Sequence, residues 1–265
     1  MPVPMTDADE LFAVAADCWG YLETERMDGW ELRAGVGFTH RANSVWPLGP
    51  LSRELPDALA SICDWYAGRE LPPLVQAVVG SELDALLTAH GCAEGLAAAL
   101  RQTADVTRVR AALTAFGYPN VALSTADRPQ DRWLRLYRAG GIPPQAKEIM
   151  GSGERYCYAT VYNEASGEPL AIGRAVLAGP SGEWVGLAGI ETAPAARRRG
   201  LARLIIKTLL DWAAERGARS TMLEVTEGND AALALYGGLG FTTHHHYHYR
   251  PLPTATVPVV EASAC

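Results

Sequence analysis

From about residue 140 onward the hydrophobic and polar positions fall into short, well-separated blocks. "RYCYATVYN" (155–163), rich in β-branched and aromatic residues, and the apolar run "PLAIGRAVLAG" (169–179) are joined by the turn-prone "EASGE", so they read as two strands. "EWVGLAGIETA" (183–193) reads as a third. The period then changes: Leu201, Leu204, Ile205, Leu209 and Trp212 recur at helical spacing and predict an amphipathic helix over 199–216, ended by "RGA". "STMLEV" (220–225) is another strand. "NDAALALYGGLG" (229–240) is a short helix with Asn229 as its N-cap and glycines at its end. "FTTHHHYHYR" (241–250) is the last strand, and the tail 251–265 reads as loop.

The first half is less plainly patterned, but it echoes the second. "DWYAGRELPPLVQAV" (64–78) aligns without gaps on "DWAAERGARSTMLEV" (211–225), placing Asp64, Trp65, Ala67, Arg69 and Val78 on Asp211, Trp212, Ala214, Arg216 and Val225. After a small slip "ALLTAHG" (85–91) falls on "ALYGGLG" (234–240). A helix–strand–helix unit occurring twice predicts two domains of one ancestral fold, 1–125 and 126–250, followed by the tail. In this alignment Pro50, Arg53, Ala77 and Leu87 stand where the second copy has Arg197, Gly200, Glu224 and Tyr236.

Composition narrows the function classes. The 265 residues are 48% hydrophobic and 20% charged, with a net charge of −7, an ordinary globular balance. An acidic chain argues against nucleic-acid binding, and no aromatic residues interleave the arginines at 197–199. The five cysteines (18, 63, 92, 157 and 265) are odd in number and lack C-x-x-C spacing, which disfavours a disulfide framework or a zinc site. The first residues show no basic segment leading into an apolar one, and no apolar run approaches a membrane span. These features predict a soluble cytoplasmic protein, with no membrane partner and a monomeric or homodimeric state left open.

The positive charge is concentrated in "APAARRRGLARLI" (193–205), between a strand and a helix. The first N–H groups of a helix lack intrahelical partners and face outward at the positive end of its dipole, which makes an anion site. Gly200 and the small Ala202 would let a ligand approach the backbone, and Arg197, Arg198 and Arg199 would add charge-assisted hydrogen bonds to phosphate oxygens. A solvated basic surface is the plainer alternative. Arg197-Arg198-Arg199-Gly200-Leu201-Ala202, after Pro194 and a strand, resembles the signature of the GNAT superfamily of acetyl-CoA-dependent acyltransferases: arginine or glutamine, two variable residues, glycine, one variable residue, then glycine or alanine. The resemblance implies an α/β (α+β) chain of two GNAT-like domains, each a mixed, mostly antiparallel twisted sheet flanked by helices. It also implies that this loop, Leu201 included, holds the pyrophosphate of coenzyme A.

A second stretch, "LEVTEGNDAALALYGGLGF" (223–241), resembles the enzymes that acetylate the N-terminal amine of ribosomal proteins. The resemblance carries a base role to Glu224 and an acid role to Tyr236. The chemistry asks for both: an amine that is mostly ammonium at neutral pH must lose a proton before attacking a thioester, and the departing thiolate must gain one. Main-chain N–H groups around Ile190, Glu191 and Thr192 would stabilise the oxyanion, because the family kinks this strand. Glu191 is a second candidate base, and a water chain a third route. Asn229 is either only a cap or also a contact to the pantetheine arm. Glu224 as a surface carboxylate and Tyr236 as ordinary packing remain the bland readings.

His244, His246 and His248 would share one face of a strand, but no carboxylate or cysteine lies near them in sequence to complete a metal site, so no metal is expected. They line or flank the cleft, or face solvent. The ending "YHYR" also resembles a subgroup of tandem GNAT proteins. In "GWELRAGVGFTHRANSVWPLGP" (29–50) two strands turn at the glycines; "THRANS" could reach a cleft, although Asn43, Ser44 and Trp46 suit hairpin structure equally. The first half is expected to pack against the second and wall the acceptor site. The reading that follows is an acetyl-CoA-dependent N-acetyltransferase acting by direct attack on a small-molecule primary amine, with one coenzyme site per chain. The alternatives are a protein N-terminal acetyltransferase of the ribosomal-protein kind, a non-catalytic acyl-CoA-binding module, and a nucleic-acid-binding protein.

Overall fold

The blocks of the second half fold as strands and helices within a residue or two of where the pattern sets them, in a computed structural model that describes residues 8–138 and 141–253. Most of the tail, 254–265, lies outside the described residues. In chain order the elements are α1 (Ala8–Asp17), β1 (Glu23–Met27), β2 (Trp30–Ala34), β3 (Val45–Pro47), α2 (Leu55–Ala67), β4 (Leu74–Val78), α3 (Glu82–Ala89), β5 (Leu96–Asp105), α4 (Val106–Thr114) and β6 (Ala122–Ala126). They continue with α5 (Asp131–Tyr137), α6 (Ala146–Met150), β7 (Tyr156–Tyr162), β8 (Pro169–Ala178), β9 (Trp184–Thr192), α7 (Leu201–Ala214), β10 (Ser220–Thr226), α8 (Asp230–Gly238) and β11 (Thr242–Pro251).

Side-chain caps fix several helix starts. Ser81 Oγ accepts from the Asp84 N–H, Asp105 from Arg108, and Asn229 from Ala232, so each satisfies a donor the helix leaves orphaned. Helix α7 buries Leu201, Ile205, Ile206, Leu209, Leu210 and Ala213 along one stripe. This stripe packs on Ala171, Ala175, Leu223 and Val225 of the sheet, with α4 beside it through Val109 and Leu113. In the first half α2 and α3 likewise set Ile62, Tyr66 and Leu87 against Val75 and Ala77.

All eleven described strands join one mixed sheet in the order β1-β2-β3-β4-β11-β5-β10-β9-β8-β7-β6. The β3–β4 and β9–β10 pairs are parallel and the rest antiparallel. The order is nearly symmetric: β3–β4 on one side answers β9–β10 on the other, and at the centre β5 and β11 have changed places. Strand β11, from the end of the chain, pairs with β4 and β5, while β5, from the first half, pairs with β10 and β11. The segments that echo in sequence, α2–β4–α3 and α7–β10–α8, occupy corresponding positions. Each half thereby lends a central strand to the other, which brings first-half side chains onto the strands that carry the second half's chemistry.

The face of the sheet opposite α7 is covered by α1, α5 and α6. Leu11, Phe12 and Ala15 pack on Trp46, Trp184 and Met222. Trp133, Ala146 and Ile149 pack on Phe38, Tyr158 and Ile172, and Trp133 anchors α5 by donating its indole N–H to the Gly173 carbonyl at 3.0 Å. The site lies on this face.

Candidate active site

Strands β9 and β10 run side by side from Trp184/Ser220 to Leu187/Leu223 and then part. The cause sits on the other edge of β9. Ile172 pairs with Glu191 but Arg174 pairs with Ala188, so β9 carries one residue more than β8 across this interval. The extra residue makes a bulge at Gly189–Ile190 that bends β9 away from β10. Gly189 has φ +59°, a left-handed conformation, and a Cβ there would lie 3.2 Å from the rings of Trp133 and Tyr137. "GLAGIE" thus contains its own kink. The bend begins at Gly189, just before the Ile190–Thr192 stretch expected to expose amides.

A cavity of about 330 Å³ opens at this fork. Ile190, Glu191, Glu224, Asn229 and Tyr236 of the sequence-based set all line it; Thr192 and the 197–202 loop do not. Its wall also carries polar residues that no local motif marks, among them His40 and Arg41 from a 3-10 turn at His40–Ala42, Arg174 of β8, and Tyr247 and Tyr249 from β11. The polar run "THRANS" does reach the cleft, through its first residues. Asn43 instead holds the hairpin, its Oδ1 accepting from the N–H groups of Gly35 and Gly37.

Glu224 is the most constrained charge in the site. One carboxylate oxygen accepts from Nε of Arg41; the other accepts from Nη2 and Nε of Arg101 at 2.6 and 3.2 Å. Arg101 is fully buried and its Nη1 also donates to His245 at 3.3 Å. Burial by itself would raise the Glu224 pKa, but Arg41 and then Arg101 outweigh it and hold the carboxyl at about 2. A carboxylate so held accepts a proton poorly, so this environment works against the direct-base role expected for Glu224. Glu191 differs: burial raises its pKa above the ordinary value, with Arg197 offsetting part of the rise. Tyr236 is buried on α8, and burial lifts its phenol to about 12, so it keeps its proton at neutral pH. Cys18 also lines the cavity, but burial raises its thiol to about 12, which removes it as a thiolate nucleophile.

The arginine loop leads from β9 into α7. Arg198 (φ +63°) and Gly200 (φ +77°) both take left-handed conformations, and Gly200 is the N-cap residue. A Cβ on Gly200 would meet nothing within 4 Å, so the backbone conformation, not crowding, calls for glycine there. Arg197, Arg198 and Arg199 are exposed, and Leu204 N–H closes the first turn on the Gly200 carbonyl. The residues fit a phosphate group: open space, a helix start and three exposed cations, of which Arg197 is tethered through Nε to the Thr192 carbonyl at 3.3 Å. The corresponding loop of the first half is filled from within. There the Asp28 carboxylate accepts from the Ser52 N–H and from Arg53 Nε, both at 3.1 Å.

The histidines separate. A bulge between Thr243 and His245 breaks the alternation of β11. His245 stacks on Phe12, and burial, then Arg101, pushes its pKa down to about 3. His246 stands 3.8 Å from Glu227, and His248 binds Asp84 at 2.8 Å beside Arg250. Neither His245 nor any of His244, His246 and His248 lines the cavity.

With the fork, the cavity and the anion loop in place, comparison with known proteins decides the family. The family model described as "Probable histone acetyltransferase Rv0428c C-terminal" matches residues 7–250. The chain belongs to this family. It is a GNAT-type N-acetyltransferase, the class of enzyme that uses acetyl-CoA as cosubstrate. It is 32% identical over 253 residues to the probable histone acetyltransferase Rv0428c of Mycobacterium tuberculosis, covering 94% of this chain and 76% of that one. It is 35% identical over 137 residues to the ribosomal protein bS18-alanine N-acetyltransferase of Salmonella typhimurium, covering 50% of this chain and 86% of that one. Among solved structures, a GCN5-related N-acetyltransferase from Kribbella flavida superposes with a TM-score of 0.70 at 17% identity, covering 95% and 97% of the two chains. A tandem GNAT protein from the clavulanic acid biosynthesis pathway does so at 0.62 and 16%, covering 91% and 92%. These last two share the fold. Among the described residues no helix is long and apolar enough to cross a membrane.

Proposed function

We propose that the chain transfers an acetyl group from acetyl-CoA to a primary amine of a small molecule by direct attack on the thioester. The observation that carries this reading is the cavity at the fork, closed by residues of both halves: the turn at His40–Arg41 and the tyrosines of β11 stand across from the strands that part. A peptide acceptor asks for an open groove; this site presents a walled pocket of small-molecule size. Residues 1–125 then supply part of the wall, through the His40–Arg41 turn, and 126–250 the coenzyme site and the rest of the wall.

Acetyl-CoA supplies an activated acyl carbon. The parted strand offers main-chain N–H groups near Gly189 and Ile190 to the carbonyl oxygen as it gains charge. The amine forms its new C–N bond as the C–S bond breaks. We assign the amine's proton to Glu191, whose raised pKa makes it the better acceptor of the two carboxylates, and the proton gained by sulfur to Tyr236. The 197–202 loop, with Arg197, Arg198 and Arg199, binds the pyrophosphate, and Asn229 both caps α8 and faces the pantetheine arm. Cys18 forms no acyl-enzyme, because its thiol stays protonated.

Free thiol release from acetyl-CoA against a panel of small amines tests the reading, with intact mass spectrometry of peptides bearing ribosomal-protein and histone sequences beside it. Turnover of small amines is expected. The second reading, a protein acceptor, draws on what the Salmonella and Mycobacterium relatives are named for; stoichiometric peptide acetylation without small-amine turnover would establish it. Because Asp28 already occupies the first-half loop, titration calorimetry with acetyl-CoA should give one site per chain, and a stoichiometry of two would refute the assignment.

A further inference from the structure

The inner end of the cavity is unbalanced in charge. Glu224 is shared by Arg41 and Arg101, so this buried trio carries one positive charge in excess. Arg174, 1% exposed, also lines the cavity, and its hydrogen bonds go to the carbonyls of Met150 and Cys18, which bring no countercharge. His40 and His245 face the same groups, and burial first, then the neighbouring arginines, lowers both pKa values, so they stay neutral. At the other lining positions Glu191 and Arg138 cancel in sum.

Two hydroxyls stand at this end as well. Tyr247 and Tyr249 are 0% and 2% exposed, both line the cavity, and their hydroxyls face only each other, so at most one of the two protons is taken up within the pair and the other has no acceptor. Burial raises both phenols, Tyr247 to about 12, so each keeps a proton to donate. Buried donors left unmade are costly, and an excess buried cation is costly too. One kind of group offsets both: an anion that accepts from the phenols and lies against the guanidinium of Arg41.

We propose that the amine acceptor also carries a carboxylate, which docks at Arg41 under Tyr247 and Tyr249 while its amine faces the fork; the acceptor class is amino acids and amino-acid-like molecules. This deepens the small-molecule reading and rests on it. A peptide N-terminus presents a neutral amide where this site asks for an anion, and a simple diamine would bring a second cation toward three guanidiniums. The carboxylate takes no part in bond making: the products are the N-acetylated acid and free coenzyme A.

Matched acceptors test it. Thiol release is measured with the common amino acids, the C-terminal amide of each one turned over, unsubstituted alkylamines and a ribosomal-protein peptide. The expected result is a kcat/KM for acid over amide of about tenfold or more, falling about tenfold in Tyr247→Phe or Tyr249→Phe, the size of one lost hydrogen bond to a charged group. Thermal melts check that both variants fold; the acid-to-amide ratio of the unaltered protein decides the matter without them. Equal or better use of amides or alkylamines overturns the carboxylate site while leaving small-molecule acetyl transfer intact. Turnover of the peptide alone, or of no acceptor, overturns both. A parallel series with succinyl-CoA in place of acetyl-CoA covers the other source of a carboxylate: if the tyrosine variants change donor preference and not the acid-to-amide ratio, the anion belongs to the acyl group and the proposal fails.

Discussion

Tyr236→Phe should lower kcat by about 10²-fold or more, the usual worth of a positioned general acid, with the KM for acetyl-CoA shifted by no more than about twofold. The hydroxyl is the only atom lost. The ring stays where it is, packed on Phe241 with centroids 5.8 Å apart and joined to the cluster that holds α7 and β10, so the fold should not change. What changes is the fate of the sulfur. At neutral pH a phenol raised to about 12 by burial is a proton donor, and it lines the cavity near the end of the fork. Without it the thiolate must leave unprotonated or take its proton from water, which is not held in place for the transfer. An unchanged kcat with normal melting would remove Tyr236 from the chemistry and leave it as packing. A fall in kcat that tracks a fall in melting temperature would say the same.

The place of Tyr236 on the cavity wall is legible in the sequence because its context is local. The carboxylate of "LEV", the Asn229 cap and the phenol all lie within a single strand–helix unit, and periodicity sets which face each occupies. The arginine loop was legible for the same reason: a strand, a proline, a left-handed glycine and an amphipathic helix follow one another directly. The exchange of β5 and β11 was not. Strand pairing is chosen by contacts remote in sequence, and the alternation of a strand says which face it buries but not whom it lies beside. Hence the pairing of Glu224 with Arg41, 183 residues away, and with Arg101, 123 residues away, left no local signal. The two arginines that hold Glu224 ionised belong to the first half. One further signal was present. Alternation along "HHHYHYR" drew notice to the histidines, whereas the same alternation puts Tyr247 and Tyr249 together on the face that lines the cavity.

The same pairing makes Glu224→Gln a strongly destabilising change. Removing one member of a buried ion group strands the others, at a typical cost of about 3–5 kcal/mol. Here two guanidiniums are left, one of them fully buried, and they join β5 and the His40–Ala42 turn of the first half to β10 of the second. Urea unfolding at neutral pH should therefore show a midpoint well below that of the unaltered protein. The pH dependence has a definite sign. Glu224 is held at about 2 in the fold against an ordinary 4.5, so its stabilisation is complete above pH 4.5 and is lost as pH falls from there toward 2. The stability gap between the two proteins should be constant near neutrality and shrink through that acid window. A direct base would behave otherwise: the glutamine form would melt normally, turn over slowly and lose the acid limb of its rate profile. If Glu224→Gln leaves the urea midpoint unmoved and abolishes turnover, Glu224 takes the amine's proton after all, and the assignment to Glu191 falls. If the variant is destabilised but, where still folded, keeps most of its kcat, Glu224 is the clasp between the two halves, and its charge serves the reaction by fixing Arg41 at the cavity wall.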